Sequence, residues 1–149
     1  MKMENRPNLA VISDIDGTVS DRRHRLKFLE DKKDWKSFFA HLSEDPPIQS
    51  TIDELARHYN QGTRIIFVTG RPEDYKEKTL DWLNKHLPFN EFDLIMRPSK
   101  NYEKDISIKR KILLTILKTF EVVKVYEDQT ELINMWEENG LECVNCSLD

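Results

Sequence analysis

The sequence predicts an α/β fold in which a doubly wound, parallel five-stranded sheet carries helices on both faces. Two observations predict it. Short apolar runs alternate along the chain with longer stripes of apolar residues at helical spacing, which is the order of repeated βα units. Most of the apolar runs also stop abruptly at charged or hydroxyl side chains, as strands do at the ligand-binding carboxyl edge of an open parallel sheet.

Length and composition favour one domain over residues 1–149. Hydrophobic residues make up 38% of the chain and charged residues 34%, which is typical of a globular protein with a heavily charged surface. The segment 1–7 lacks the apolar core of a signal peptide and no stretch is long enough to cross a membrane, so we expect a cytoplasmic protein without a membrane partner. The net charge of −4 argues against bulk capture of nucleic acid, although a local basic patch could still bind it.

The first predicted strand, 10–13, runs into two carboxylates. Asp14 and Asp16 are followed by Gly17 and Thr18. Carboxylates at this spacing are suitable ligands for a hard divalent cation. Asp14 could also act as a nucleophile, since carboxylates form acyl phosphates, and Asp16 would then be free to protonate the leaving group. The alternative is a turn with two solvated aspartates.

A small helical insertion, residues 22–47, separates this strand from the next repeat. Four apolar residues in it recur at the spacing of one helical face, which predicts packing against the domain. They are Trp35, Phe38, Phe39 and Leu42. The insertion is too short to form a large cap, so we expect an open site that admits polymers as well as small molecules.

The remaining elements follow in alternation. Further strands are predicted over 64–68, 92–96, 122–126 and 141–146, and helices over 48–59, 72–87, 106–120 and 132–136. We expect Pro72 to be the first residue of its helix, because proline is well tolerated there. We also expect Trp82 to shield an edge of the sheet.

Later strands end, like the first, in residues that suit phosphate chemistry. Thr69, Gly70 and Arg71 follow the second strand, Arg97 the third, and Glu127 and Asp128 the fourth, while Lys109 lies near the start of a helix. Because the ends of parallel strands meet at one edge, these side chains should converge with the first aspartates. The alternatives are surface arginines at helix entrances and an exposed helix lysine.

The order of these residues resembles that of the haloacid dehalogenase (HAD) superfamily of phosphotransferases. A response-regulator receiver has a similar fold, but its nucleophile follows the third strand, which here ends in Met96 and Arg97. Three further features resemble the 3′-phosphatase domain of phage-type polynucleotide kinase/phosphatases. They are Thr-Gly-Arg-Pro at 69–72, the spacing of Arg97 from Lys109, and Glu-Asp-Gln-Thr-Glu-Leu-Ile-Asn-Met-Trp at 127–136.

That resemblance implies a role for each residue. Asp14 would be the nucleophile and Asp16 the acid and base, with Thr69 and Lys109 binding the phosphoryl oxygens. Thr18, Gly70, Arg71 and Arg97 would bind substrate. Mg²⁺ would be held by Asp14, the backbone carbonyl of Asp16, and Asp128, with Glu127 beside them. Glu127 replaces an aspartate of the family pattern, which could make its metal contact water-mediated, and Gln129 replaces an arginine.

The leading hypothesis is therefore a Mg²⁺-dependent phosphomonoesterase that works through an aspartyl-phosphate and removes 3′-phosphates from nucleic acid ends. The alternatives are the same chemistry on a small phosphorylated metabolite or nucleotide, and a binding module without turnover. The sequence has no Gly-x-x-x-x-Gly-Lys-Ser/Thr loop, so a kinase or ligase would be a separate partner. Basic residues with one aromatic ring could form a track for the phosphate backbone. They are Arg22, Arg23, Arg25, Lys100, Lys104 and Tyr102.

Overall fold

The computed structural model describes residues 8–148 and contains a five-stranded sheet in the order β3-β2-β1-β4-β5. The segment 1–7, where no signal peptide is expected, and residue 149 lie outside the described residues. The strands are β1 (Leu9–Ser13), β2 (Arg64–Pro72), β3 (Asp93–Arg97), β4 (Glu121–Glu127) and β5 (Cys143–Asn145). Every neighbouring pair is parallel, so all five carboxyl ends lie on one edge of the sheet.

Helices cover both faces of this sheet, which confirms the predicted fold class. They are α1 (Trp35–Ala40), α2 (Gln49–Asn60), α3 (Lys76–His86), α4 (Asp105–Ile116) and α5 (Thr130–Glu138). Val11 packs on the face covered by α2 and α3, whereas Ala10 and Ile12 pack on the face covered by α4 and α5. Since both faces of a central strand are buried, its sequence is a continuous apolar run that ends only at the edge of the sheet.

One local prediction was wrong. Pro72 ends β2 instead of beginning a helix: it is extended, at φ −63° and ψ 147°, and a 3₁₀ turn at Glu73–Tyr75 precedes α3. The strand continues this far because, after a shift in register between Thr69 and Pro72, Pro72 pairs with Arg97 of β3. Trp82, which was expected to shield an edge of the sheet, is only 3% exposed, and its indole N–H donates to the carbonyl of Asp45 at 2.9 Å.

The insertion consists of short helical turns and forms no large cap. A 3₁₀ turn at Arg23–Leu29 precedes α1, and another at Leu42–Glu44 follows it. The predicted single apolar face is divided, because Phe38 and Leu42 are buried while Trp35 is 48% exposed. Trp35 is the first residue of α1, whereas Leu42 lies in the turn that follows the end of the helix at Ala40.

We examined whether any helix is long and apolar enough to cross a membrane. Within residues 8–148, no helix combines the length and the apolar character that crossing a bilayer requires.

Candidate active site

The carboxyl edge of the sheet carries the predicted site residues in three groups. The first group contains Asp14, Thr18, Lys109, Glu127 and Asp128. The second contains Asp16, Thr69 and Arg71, and the third contains Gly70 and Arg97. All of the predicted side chains thus lie at or beside the ends of β1, β2, β3 and β4, where the parallel topology brings them together.

Asp14 is the first residue after β1 and is held at that place by three contacts. Its backbone N–H donates to the carbonyl of Tyr126 in β4 at 2.9 Å. Lys109 Nζ donates to Oδ1 at 2.8 Å and the Thr18 hydroxyl donates to Oδ2 at 3.1 Å. Burial, together with the charge of Glu127, raises the pKa of Asp14 well above its usual range even though Lys109 opposes the shift. The positive charge of Lys109 alone therefore does not offset burial and the negative charge of Glu127.

Three carboxylates form a group that could hold a metal ion. Oxygen atoms of Asp14, Glu127 and Asp128 lie within 4.8 Å of one another. Asp128 Oδ1 is buried and, among the described residues, has no hydrogen-bond partner. A buried oxygen without a donor is costly, and a hard cation would satisfy it. Gly17 leaves space for this carboxylate, because a Cβ at that position would clash with it.

Glu127 is already fully engaged within the protein. Its side chain is 0% exposed, Oε1 accepts from Lys109 Nζ at 3.1 Å and from the Trp136 indole at 3.2 Å, and Oε2 accepts from the backbone N–H of Asp128 at 3.1 Å. These contacts hold Lys109 and Asp128 in place. The glutamate at this position, which is longer than the aspartate of the family pattern, therefore positions other residues of the site. Contact between Glu127 and a metal ion stays a prediction.

Asp16 is held by two arginines. Arg71 forms a bidentate pair with it, at 3.0 Å from Nε to Oδ2 and 2.8 Å from Nη2 to Oδ1, and Arg25 Nη2 lies 2.7 Å from Oδ1. Burial acts to raise the pKa of Asp16, but the two guanidinium groups outweigh it and bring the pKa below its usual range. The two arginines therefore keep Asp16 an anion.

Arg25 and Asp45 belong to the site, but the sequence analysis assigned Arg25 to a different role and did not identify Asp45. The sequence suggested a solvent-exposed phosphate track that included Arg25, and this was wrong because its side chain is 0% exposed. Its guanidinium donates to both oxygens of Asp45, at 2.8 and 2.5 Å, and lies over the Phe38 ring at 4.4 Å from the centroid. Asp45 is 2% exposed and also accepts from the Ser20 hydroxyl at 2.5 Å. No motif connects Arg25 with an aspartate 20 positions later.

The two predicted substrate arginines both have partners within the protein. Arg71 is 1% exposed; its Nη1 donates to the Thr79 hydroxyl at 3.0 Å, and its backbone N–H donates to the Thr69 hydroxyl at 3.1 Å. Arg97 donates to the carbonyl of Gly70 at 2.8 Å and forms an ion pair with Asp105. A Cβ at Gly70 would clash with that same Asp105 carboxylate, so a larger residue there would displace the Asp105 side chain.

The metal-free protein should become less stable as the pH rises through the titration of Asp128. Burial raises the pKa of Asp128 to about 6, whereas the pKa of an aspartate in the unfolded chain is about 4. An acid with a raised pKa favours the folded state while it is protonated, so that contribution is lost between these two values. We expect the Tm of the metal-free wild type, relative to that of Asp128→Asn, to fall by several degrees from pH 4 to pH 7. An equal pH dependence of the two proteins would contradict this interpretation.

The chain is similar to a known protein family and to a viral protein. A family model described as the polynucleotide kinase PNKP phosphatase domain matches residues 8–148. A protein of Autographa californica nuclear polyhedrosis virus, whose assigned name describes a bifunctional polynucleotide kinase/RNA ligase, is 25% identical over 133 residues. These residues are 87% of this chain and 18% of the viral protein.

Solved structures give two further matches. A chain in the Pnkp1/Rnl/Hen1 RNA repair complex is 26% identical, with a TM-score of 0.79 over 93% of this chain and 42% of that chain. The class C acid phosphatase from Bacillus anthracis with tungstate bound has a TM-score of 0.66 at 15% identity, over 97% of this chain and 69% of that one, and this likeness concerns the fold alone. The chain spans less than half the length of the viral relative and of the RNA repair protein.

Proposed function

Because the chain belongs to the polynucleotide kinase PNKP phosphatase-domain family of HAD proteins, we propose that it is a Mg²⁺-dependent phosphatase that removes 3′-phosphates from polynucleotide ends. The family predicted from the sequence is confirmed, and the chain is an HAD-type phosphatase domain. The observation that carries the proposal is the surroundings of Asp14: a buried carboxylate between Lys109 and Thr18, beside an Asp128 oxygen that has no donor among the described residues.

Asp14 is the proposed nucleophile. One of its carboxylate oxygens attacks phosphorus, the bond from phosphorus to the 3′-oxygen of the substrate breaks, and an aspartyl-phosphate forms on the protein. Lys109 and the Thr69 hydroxyl are proposed to bind the oxygens of the transferring phosphoryl group, where negative charge spreads in the transition state. Water then attacks the phosphorus and releases Asp14 with inorganic phosphate.

Asp16 is proposed to handle the protons of both steps. It gives a proton to the departing 3′-oxygen in the first step and takes one from the attacking water in the second. Its pairing with Arg25 and Arg71 keeps it an anion, and the anion is the form that the second role requires. For the first role, an arriving phosphate would compete for the guanidinium groups, which weakens their hold on Asp16 and raises its pKa.

The carboxylate group of Asp14 and Asp128, with the backbone carbonyl of Asp16, is proposed to hold Mg²⁺. The oxygen-only ligand set and the Asp128 oxygen without a donor suit a hard cation. When bound, the cation supplies the positive charge that lets an anionic carboxylate approach an anionic phosphate. Glu127 supports this group by fixing Lys109 and the backbone of Asp128.

The choice of a polynucleotide substrate is supported by the open site and by the relatives. The insertion forms only short helical turns and leaves the carboxyl edge without a large cap. One relative belongs to an RNA repair complex, and the other is named as a polynucleotide kinase/RNA ligase. We propose DNA or RNA ends that carry a 3′-phosphate, and a kinase or ligase as the partner that acts on the same ends.

The substrate proposal predicts a strong preference among phosphate esters. An oligonucleotide with a 3′-phosphate should have a kcat/KM at least about 100-fold higher than its 5′-phosphate counterpart, a mononucleotide or a sugar phosphate, since contacts to the rest of the substrate orient the reacting group. Rates should be compared at one salt concentration, because polyanion binding depends on salt. Faster hydrolysis of a small phosphate ester than of the 3′-phosphate oligonucleotide would contradict the polynucleotide substrate and favour a small-molecule substrate. If the protein hydrolysed none of these esters, a binding module without turnover would be favoured.

A further inference from the structure

Three aromatic rings form a continuous, partly exposed surface beside the proposed active site. This aromatic platform consists of Trp35 and Phe39 of α1 and Tyr75 of the turn after β2. The rings of Trp35 and Phe39 are stacked, with centroids 5.9 Å apart and planes at 24°, and those of Phe39 and Tyr75 lie 5.0 Å apart at 33°. Trp35 is 48% exposed, whereas the other tryptophans, Trp82 and Trp136, are 3% and 1% exposed. Exposing so large a ring is costly unless something covers it.

The platform is connected to Asp16 through one ring and one guanidinium group. The buried Phe38 meets Trp35 and Phe39 edge-on, at centroid distances of 5.7 and 5.2 Å. Arg25 lies over the ring of Phe38, 4.4 Å from its centroid, and donates to Asp16 at 2.7 Å. The same packing that orders the platform therefore also orders the proposed acid and base.

The side of the site on which Asp16 lies indicates what the platform would meet. Asp16 is proposed to protonate the departing oxygen, so the body of the leaving alcohol lies on its side of the phosphorus. For a 3′-phosphate end, that body is the terminal nucleoside. Three exposed lysines adjoin Trp35 in sequence, and their charge suits a polyanion. They are Lys32, Lys33 and Lys36.

We propose that the aromatic platform stacks the nucleobase of the nucleotide that carries the 3′-phosphate, with Trp35 as the contact surface. This inference rests on the proposed function and adds to it a subsite for the terminal base. Stacking on an aromatic ring tolerates any base, because every base has a π-face, so the subsite would hold a nucleotide end without reading its sequence. The exposed lysines would attract the adjoining phosphodiester backbone.

The test compares two oligonucleotides that differ only in the last residue, which carries the 3′-phosphate and is either a normal nucleotide or an abasic sugar. We expect the wild type to hydrolyse the base-bearing end with a kcat/KM about tenfold higher. In Trp35→Ala this ratio should fall to about one, and in Trp35→Phe it should be largely kept. Leu114→Ala, which removes an exposed apolar side chain from α4, should keep the wild-type ratio.

Binding can be followed independently of turnover. Trp35 is the exposed tryptophan, so the fluorescence of the Asp14→Asn protein should be quenched by the base-bearing oligonucleotide and not by the abasic one. Equal rates on both ends in the wild type, or a ratio that survives in Trp35→Ala, would overturn the platform while leaving the phosphatase proposal intact. Loss of the ratio in Tyr102→Ala instead would move the subsite to that ring, which is 91% exposed. Failure to hydrolyse either 3′-phosphate end would refute the proposed function itself.

Discussion

Asp14→Asn is expected to lose hydrolysis of all phosphate esters, by on the order of 10⁴-fold or more, while the protein stays folded. An amide has nearly the shape of a carboxylate but provides no anionic oxygen to attack phosphorus. The fold should tolerate the change well. Burial and the charge of Glu127 raise the pKa of Asp14, which means that the folded state accommodates a neutral group here more easily than a charged one.

An aryl phosphate is the most sensitive substrate for this measurement, because its good leaving group needs little protonation and leaves attack by Asp14 as the demanding step. Thermal unfolding of Asp14→Asn should give a Tm no lower than that of the wild type. Asp53→Asn, which changes an exposed aspartate of α2, serves as the control and should retain full activity. A well-folded Asp14→Asn protein that kept more than about a hundredth of wild-type turnover would exclude the aspartyl-phosphate mechanism.

The parts of the site that the sequence predicted are those set by strand topology. Asp14 and Lys109 are separated by 95 positions, yet their contact follows from two facts that the sequence contains: a buried run ends at Asp14, and α4 returns the chain to the same edge. The same reasoning places Asp128 beside them, at the end of β4. Parallel topology turns such order along the chain into proximity, so these predictions needed no knowledge of side-chain packing.

The parts that could not be predicted depend on irregular backbone. Arg25 lies in a 3₁₀ turn and Asp45 directly after another, where no apolar periodicity indicates which side chains point inward. Arg97 shows the same limit in another form. The motif that contains Arg97 predicted a cation at the site. In the structure, Arg97 donates hydrogen bonds to the backbone carbonyls of Gly70 and Asn101. Because every residue has a backbone carbonyl, the sequence does not indicate which ones Arg97 contacts.

Asp45→Ala is expected to lower the free energy of unfolding by about 3–5 kcal/mol, which is the usual cost of removing one partner from a buried ion pair. Asp45 is 2% exposed and pairs with the equally buried Arg25. Arg71 also approaches it, at 3.8 Å. Without Asp45, two buried guanidinium groups would depend on the single carboxylate of Asp16. Urea denaturation followed by circular dichroism gives the difference in unfolding free energy directly.

Asp93→Ala is the matched control, because Asp93 also forms a pair with an arginine through two hydrogen bonds. Its contacts with Arg64 are 2.7 and 3.1 Å long, but the two side chains are 37% and 56% exposed. A pair in contact with water contributes at most about 1 kcal/mol, so the control should lose little stability. If both variants lost the same amount, burial would not be the source of the effect. A large loss in Asp45→Ala alone would establish that the insertion is held to the sheet by the same ion pairs that position Asp16.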